Sequence, residues 1–186
     1  MNKEKSPFII AIAAVSGGGK TTVSNHLNRK WKNSKVIHFD DYDFNGPDDI
    51  VNWIDKGGDP NEWNLTSFIK DLELLMTESL NYIVLDFPFS YKHDQVREFI
   101  DFSVFIDTPL DIALARRVIR DYRESSTENI LFDMDYYLLR GRKAYLSMLN
   151  TIKPNADLVV DGALKVSEVT EIIFNHIEQR PPSTIN

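Results

Sequence analysis

Eight apolar residues in succession, Phe8 to Val15, run without interruption into Ser16-Gly17-Gly18-Gly19-Lys20-Thr21-Thr22. An unbroken apolar run of this length reads as a strand buried on both faces. Three glycines in a row propagate neither a strand nor a helix, so the strand must end in a turn, and a helix can begin at the lysine. Residues 14 to 21 match the pattern G-x-x-x-x-G-K-[ST], with Ala14 in place of the first glycine. Successive glycines can aim several backbone N–H groups into one concavity, and the helix N-terminus adds the positive end of its dipole. The segment is therefore a nest for an anion, with Ser16, Gly17, Gly18, Gly19, Lys20, Thr21 and Thr22 as its candidate nucleotide-binding residues. Lys20 is placed to reach the β- and γ-phosphates and Thr21 to ligate Mg²⁺. A flexible glycine turn that happens to precede Lys-Thr is the plain alternative, and the strand-to-helix context weighs against it.

The rest of the chain repeats the alternation. Continuous apolar runs recur at 35–39, 81–87, 102–107 and 157–160, with amphipathic segments at 20–31, 65–78, 109–124, 127–151 and 166–179. Short apolar strands separated by helices predict an α/β fold with a parallel sheet covered on both faces. At a usual size of ~150 residues per domain, the chain's 186 residues make one domain, 1–186, with a frayed tail at 180–186. In the 127–151 helix, Ile130, Met134, Tyr137, Leu138, Gly141, Ala144, Tyr145 and Met148 form one inward stripe, and Gly141 is expected to permit close approach.

Composition narrows the chemistry. The chain has no cysteine, which removes disulfides, thiolate metal sites and a Cys nucleophile together. A net charge of −7 argues against a nonspecific nucleic-acid or anionic-membrane surface. The run at residues 8–15 falls well short of the ~20 residues of a membrane span, so a cytoplasmic protein without a membrane partner is expected.

Beside a phosphate nest, carboxylates at strand ends acquire meaning. Asp86 closes the apolar run Tyr82-Ile83-Val84-Leu85 and is placed to hold Mg²⁺ or its water. Asp40 follows Val36-Ile37-His38-Phe39 at the carboxyl end of the second strand, where α/β sheets bind ligands, and can take the proton of an acceptor hydroxyl. Asp41 and Asp43 compete for that role. Arg116, Arg120 and Arg123 share one face of the helix beginning at Pro109, opposite Leu114 and Val118, as cations for a transferring phosphoryl group. The polar stretch at about 120–130 makes a short lid. Because no Asn-Lys-x-Asp motif occurs, adenine is the expected base. Tyr42, Phe44, Trp53, Trp63, Phe89 and Tyr91 are aromatic candidates near the acceptor, His38 reads as a hydrogen-bonded histidine, and His93 with Asp94 starts a helix.

Four segments carry a resemblance to the uridine kinase and nicotinamide riboside kinase group: Ser16 to Thr22, Phe39-Asp40-Asp41-Tyr42, Asp107-Thr108-Pro109 with Ala115 to Asp121, and Ala156 to Gly162. The resemblance implies a P-loop NTPase fold, a three-layer α/β/α sandwich with a five-stranded parallel sheet of order 2-3-1-4-5 and a short helical lid. It further implies that Asp40 is the catalytic carboxylate, that Arg116 and Arg120 are the lid arginines, and that Asp161 and Gly162 lie against adenine. Asp86 stands where the group usually has Glu. The group's hydroxyl-binding Asp is matched by Asp59 only with a one-residue gap, or else by Asp55; Tyr42, Asp40 and Arg116 complete the candidate acceptor contacts.

The expected function is ATP- and Mg²⁺-dependent transfer of the γ-phosphoryl group to a small-molecule hydroxyl, most naturally a nucleoside's, by a monomer or homo-oligomer that binds no nucleic acid. Two alternatives remain at this point: a kinase of a non-nucleoside metabolite alcohol, and a non-catalytic ATP-binding regulatory module.

Overall fold

The computed structural model describes residues 6–180. One parallel sheet in the order β2-β3-β1-β4-β5 organises them, built from Phe8–Ala14 (β1), Ser34–His38 (β2), Tyr82–Asp86 (β3), Phe102–Asp107 (β4) and Leu158–Asp161 (β5). The helices are Lys20–Lys30 (α1), Ile50–Asp55 (α2), Thr66–Met76 (α3), Asp94–Arg97 (α4), Leu110–Asp121 (α5), Thr127–Tyr136 (α6), Arg142–Thr151 (α7) and Val166–Glu178 (α8). Among the described residues no helix is long and apolar enough to cross a membrane.

The period-two geometry of β1 explains the layers. Ile10, Ile12 and Ala14 pack with Val23 and Leu27 of α1 and Ile173 of α8 on one face. Ile9 and Ala11 face the other way, against Phe68 and Leu72 of α3. Further along that second face, Ala13 and Val15 meet Ala113, Tyr137 and Tyr145. Each large aliphatic side chain so buried contributes about 1.5–3 kcal/mol, and all seven positions of β1 have a packing partner on one face or the other. The sheet order places the carboxyl end of β1 between those of β3 and β4, so the glycine turn, Asp86 and Asp107 share one edge.

Three local features depart from the sequence reading. The segment 127–151 is not one regular helix: a π-helical turn, Tyr137–Gly141, joins α6 to α7. Leu138 is exposed rather than part of the inward stripe, while Tyr137 and Tyr145 stay buried. A Cβ at Gly141 would meet only the Tyr136 ring at 3.6 Å, an ordinary contact, so no close approach requires the glycine. The Arg180 guanidinium lies 4.1 Å over the Phe102 ring, and the rest of the tail expected at 180–186 lies outside the described residues. The lid stretch is a turn at 122–126 between the end of α5 and Thr127, capped by Ser126. As expected, a helix starts directly after His93.

Candidate active site

Backbone geometry shapes the phosphate nest. Gly17 and Gly19 have φ of 76° and 97°, a region L side chains rarely adopt, and a Cβ on Gly17 would lie 2.0 Å from the Ala113 carbonyl oxygen. The loop is therefore pressed against the first turn of α5. Gly18 N donates to Val15 O at 2.8 Å, and the buried Thr108 hydroxyl donates to Gly18 O at 2.8 Å, which fixes the nest to the end of β4. No side chain caps the start of α1, so its first N–H groups remain open to an anion. Thr21 and Thr22 are exposed in that first turn.

Lys20 reaches across the nest to carboxylates from two strands. Its ammonium contacts the Asp86 carboxylate and stands 3.6 Å from Asp40 Oδ2. Asp86 is fully buried, and its second oxygen sits 2.8 Å from His38 Nδ1, its in-register neighbour on β2. The hydrogen-bonded histidine of the sequence reading is thus an orienting partner for the strand-terminal carboxylate. Asp40 lies in a short 3₁₀ turn after β2 with its carboxylate open to solvent.

The arginines of α5 divide. Arg116 Nη1 donates to the Gly162 carbonyl at 3.2 Å, and Asp161, exposed at the end of β5, accepts from Ala163 N. Arg120 pairs with Asp121 at 2.6 and 3.1 Å, and that hydrogen bond holds its guanidinium above its ordinary pKa. Arg117 points the other way, into a bidentate pair with Asp133 of α6. Burial works against its charge, but Asp133 and the surrounding groups outweigh burial and raise its pKa. Arg117 escapes the sequence reading because it lies off the face shared by Arg116, Arg120 and Arg123.

Beyond Ser16 opens a cavity of about 410 Å³. Trp53, Trp63 and Phe89 wall one side, Tyr145 and Met148 of α7 the other, and Asp59 lies at its rim. Helix α2, invisible in the sequence, forms the near wall: Asp49 caps it by accepting from Val51 N and Asn52 N, both at 2.9 Å. Two ion pairs tie it to the facing segment, Lys143–Asp55 at 2.8 Å and Arg140–Asp49 at 3.6 Å. Burial pushes the Tyr145 hydroxyl's pKa up, against the opposing effect of Arg117 and of Ser16 beside it.

This geometry separates the acceptor candidates. Asp59 lines the cavity, its carboxylate accepting from Asn61 N at 2.9 Å and its carbonyl from Trp53 Nε1 at 3.1 Å. Asp55 is engaged with Lys143 and does not line it. Tyr42 is not brought to the cavity: its hydroxyl donates to Asp71 at 2.7 Å beside α3, with its pKa raised chiefly by burial. Asp41 lines the same outer hollow as Tyr42. The residues brought together are Ser16 to Lys20, Asp40, Asp86 and His38, with the cavity at their side.

An α/β sandwich with this strand order, glycine nest and pair of carboxylates defines a P-loop phosphotransferase. The chain matches the model of the phosphoribulokinase / uridine kinase family over residues 59–168, more than half its length, and belongs to that family. It is 28% identical over 178 residues to uridine kinase of Borrelia duttonii, covering 82% of this chain and 85% of that one. Uridine-cytidine kinase B of Dictyostelium discoideum is 22% identical over 205 residues, covering 95% of this chain and 83% of that protein. Among solved structures, deoxyadenosine kinase from M. mycoides superimposes with a TM-score of 0.52 at 17% identity, over 93% of this chain and all of that one. The protein TT1252 from Thermus thermophilus does so at 0.53 and 15%, over 96% of this chain and all of that one. These two likenesses concern the fold alone. The family makes the chain a P-loop kinase, a phosphotransferase with an alcohol acceptor.

Proposed function

We propose that this chain is an ATP-dependent kinase that phosphorylates a hydroxyl of a nucleoside. The observation that carries this reading is the ring-walled cavity of about 410 Å³ that opens on the phosphate nest at Ser16. Walls of indole and phenyl rings suit a planar base, and the volume lies in the range of small-molecule sites.

The nest fits a polyphosphate on its own terms: Gly17 and Gly18 with no room for a Cβ, an uncapped helix start and a lysine turned inward. In the proposed mechanism the N–H groups of Gly17, Gly19, Thr21 and Thr22, with Ser16 at the mouth, hold the β- and γ-phosphates, Gly18 braces the loop through Val15, and Lys20 neutralises the phosphates. Thr21 and Asp86 offer the hard oxygen ligands that would hold Mg²⁺, with His38 fixing Asp86. The bound metal supplies neutralisation of the phosphate oxygens as charge shifts toward the leaving group. Asp40 orients the acceptor hydroxyl and accepts its proton as the new O–P bond forms and the bond to the departing ADP breaks. Arg120 and Arg116 supply cations around the transferring group, and the loop at Asp161 and Gly162 borders the adenine. Asp59 takes the sugar hydroxyls at the cavity rim.

The test is Mg·ATP turnover by wild type and Asp40→Asn over nucleosides, nicotinamide riboside and non-nucleoside alcohols. Nucleoside-dependent turnover that falls by about 10²–10⁴ in the variant, with nucleotide binding kept, is the expected result. Turnover only with non-nucleoside alcohols would replace the nucleoside reading. Tight ATP binding with no acceptor dependence in either protein would overturn the catalytic one.

A further inference from the structure

The turn that follows β3 is held in place residue by residue. Ser90 has a φ of 51°, a left-handed conformation that few non-glycine residues take, and its buried hydroxyl pairs with the Ser103 hydroxyl of β4. The Tyr91 hydroxyl donates to Asp157 at 2.6 Å, His93 Nε2 lies 3.3 Å from the Trp63 carbonyl oxygen, and Asp94 N donates to Asn61 Oδ1 at 2.9 Å. Backbone strain of this kind persists only where the surroundings over-determine it. Lys92 sits among these anchors, so its backbone is fixed while its charge stays free. It lines the ring-walled cavity, and its ammonium enters no ion pair or hydrogen bond among the described residues.

Among the described residues the cavity is lined by two charged side chains, Lys92 and Asp59, and no ion pair joins them. The other groups are rings, aliphatic chains and hydroxyls, and the Thr151 hydroxyl is spent on the Ser147 carbonyl at 2.8 Å. The N–H groups of Gly57 and Gly58, which also line it, are spent on Ile54 O and Trp53 O, both at 3.0 Å. Telling one neutral base from another takes a matched donor and acceptor, such as an Asn, a Gln or a free backbone pair supplies, and neither Asn nor Gln lines this cavity. Flatness and charge are what it can read. An ammonium is a compact point charge with three donors and no acceptor, so its best match is an anion.

We propose that Lys92 is a specificity-determining residue that binds a carboxylate on the acceptor's base, so that the acceptor is an acidic nucleoside. The inference rests on the nucleoside reading above and narrows it. Asp59 and Lys92 then act as opposite poles: the sugar hydroxyls donate to the Asp59 carboxylate, and the carboxylate of the base accepts from the Lys92 ammonium. A positively charged base is repelled by Lys92, and a neutral one leaves its ammonium to water.

Tryptophan fluorescence of the full chain reads acceptor binding without turnover, because Trp53 and Trp63 stand in the cavity wall. Uridine is titrated against orotidine and 5-carboxyuridine, which carry a carboxylate on different edges of the same ring. At least one acid is expected to bind about two- to fivefold more tightly than uridine at low salt, an advantage that shrinks as salt is added. Lys92→Met should bring the ratio of the two affinities to about one, Lys92→Glu should invert it, and Lys92→Arg should keep its sign. Uridine that binds as tightly as both acids overturns this inference and leaves the nucleoside reading standing. So does a preference for an acid that survives Lys92→Met. Failure of all three compounds to bind overturns the nucleoside reading and this inference together.

Discussion

The two halves of the site are made of different material. The phosphate nest is backbone: its N–H groups are aimed by positive φ at two glycines and locked by Thr108 and the Ala113 carbonyl. The cavity where we propose the acceptor binds is side chain, closed by a six-residue helix that two partly exposed ion pairs hold against the π-helical turn and α7. A backbone site has one arrangement, and substitution destroys it. A side-chain site can be trimmed or loosened by degrees, so selectivity can change on the acceptor side without disturbing the nucleotide side.

The strongest attempt to break this contrast is Gly17→Ala. The added Cβ has nowhere to go at 2.0 Å from a carbonyl oxygen, so nucleotide binding should be abolished and folding stability reduced by about 1–3 kcal/mol. Acceptor binding, followed by tryptophan fluorescence, should survive. Simultaneous loss of both would show that the halves are one unit. Trimming the other half with Trp53→Ala is expected to raise the acceptor KM about tenfold and leave the ATP KM unchanged in steady-state kinetics. A smaller change follows from Lys143→Glu, which turns the contact with Asp55 repulsive. Exposed pairs contribute about 0.2–1 kcal/mol, so the acceptor KM should rise only two- to fivefold, and added salt should reproduce part of the effect in wild type.

The smallest effect concerns acid. The Asn52 N–H, first among several groups, holds the Asp49 carboxylate below its ordinary pKa. Its contribution to α2 is therefore complete above the unfolded value of about 3.9 and is lost as pH falls through the lower folded value. Amide exchange in residues 50–55 should accelerate below about pH 4 before the sheet loosens, and Asp49→Asn should remove that pH dependence. Simultaneous loosening of helix and sheet would contradict a separable cavity wall.

The same contrast decides what could be read from sequence. A nest spelled by glycines, a lysine and a threonine in one short stretch is local, so it and the five apolar strands were legible, as was the crevice at the strand ends. Asp86 follows because it closes a strand, and Asp40 because it comes two residues after one. Helix α2 was not legible: six residues in an Asp-, Gly- and Pro-rich stretch carry no period, and the Asp49 cap and the Trp53 packing that sustain it are tertiary facts. That Asp59 lines the cavity while Asp55 is held by a lysine 88 residues away is likewise a tertiary fact. Arg117 was missed because a helical wheel reports which residues share a face, not which neighbouring helix each face meets. The break between α6 and α7 was not legible because a π-helical turn leaves no mark in a pattern of three and four.

Thr108 carries a consequence of its own. Its hydroxyl holds Gly18 in the nest, and a Cβ at Gly162 would fall 1.9 Å from that same oxygen. One side chain thus sets the span between the glycine turn after β1 and the turn after β5, the two ends of the proposed nucleotide crevice, as the pin of a calliper sets its jaws. A methyl group added at 162 would be felt at 18, and a ligand with a shorter or longer phosphate chain would have to be accommodated elsewhere than in that gap.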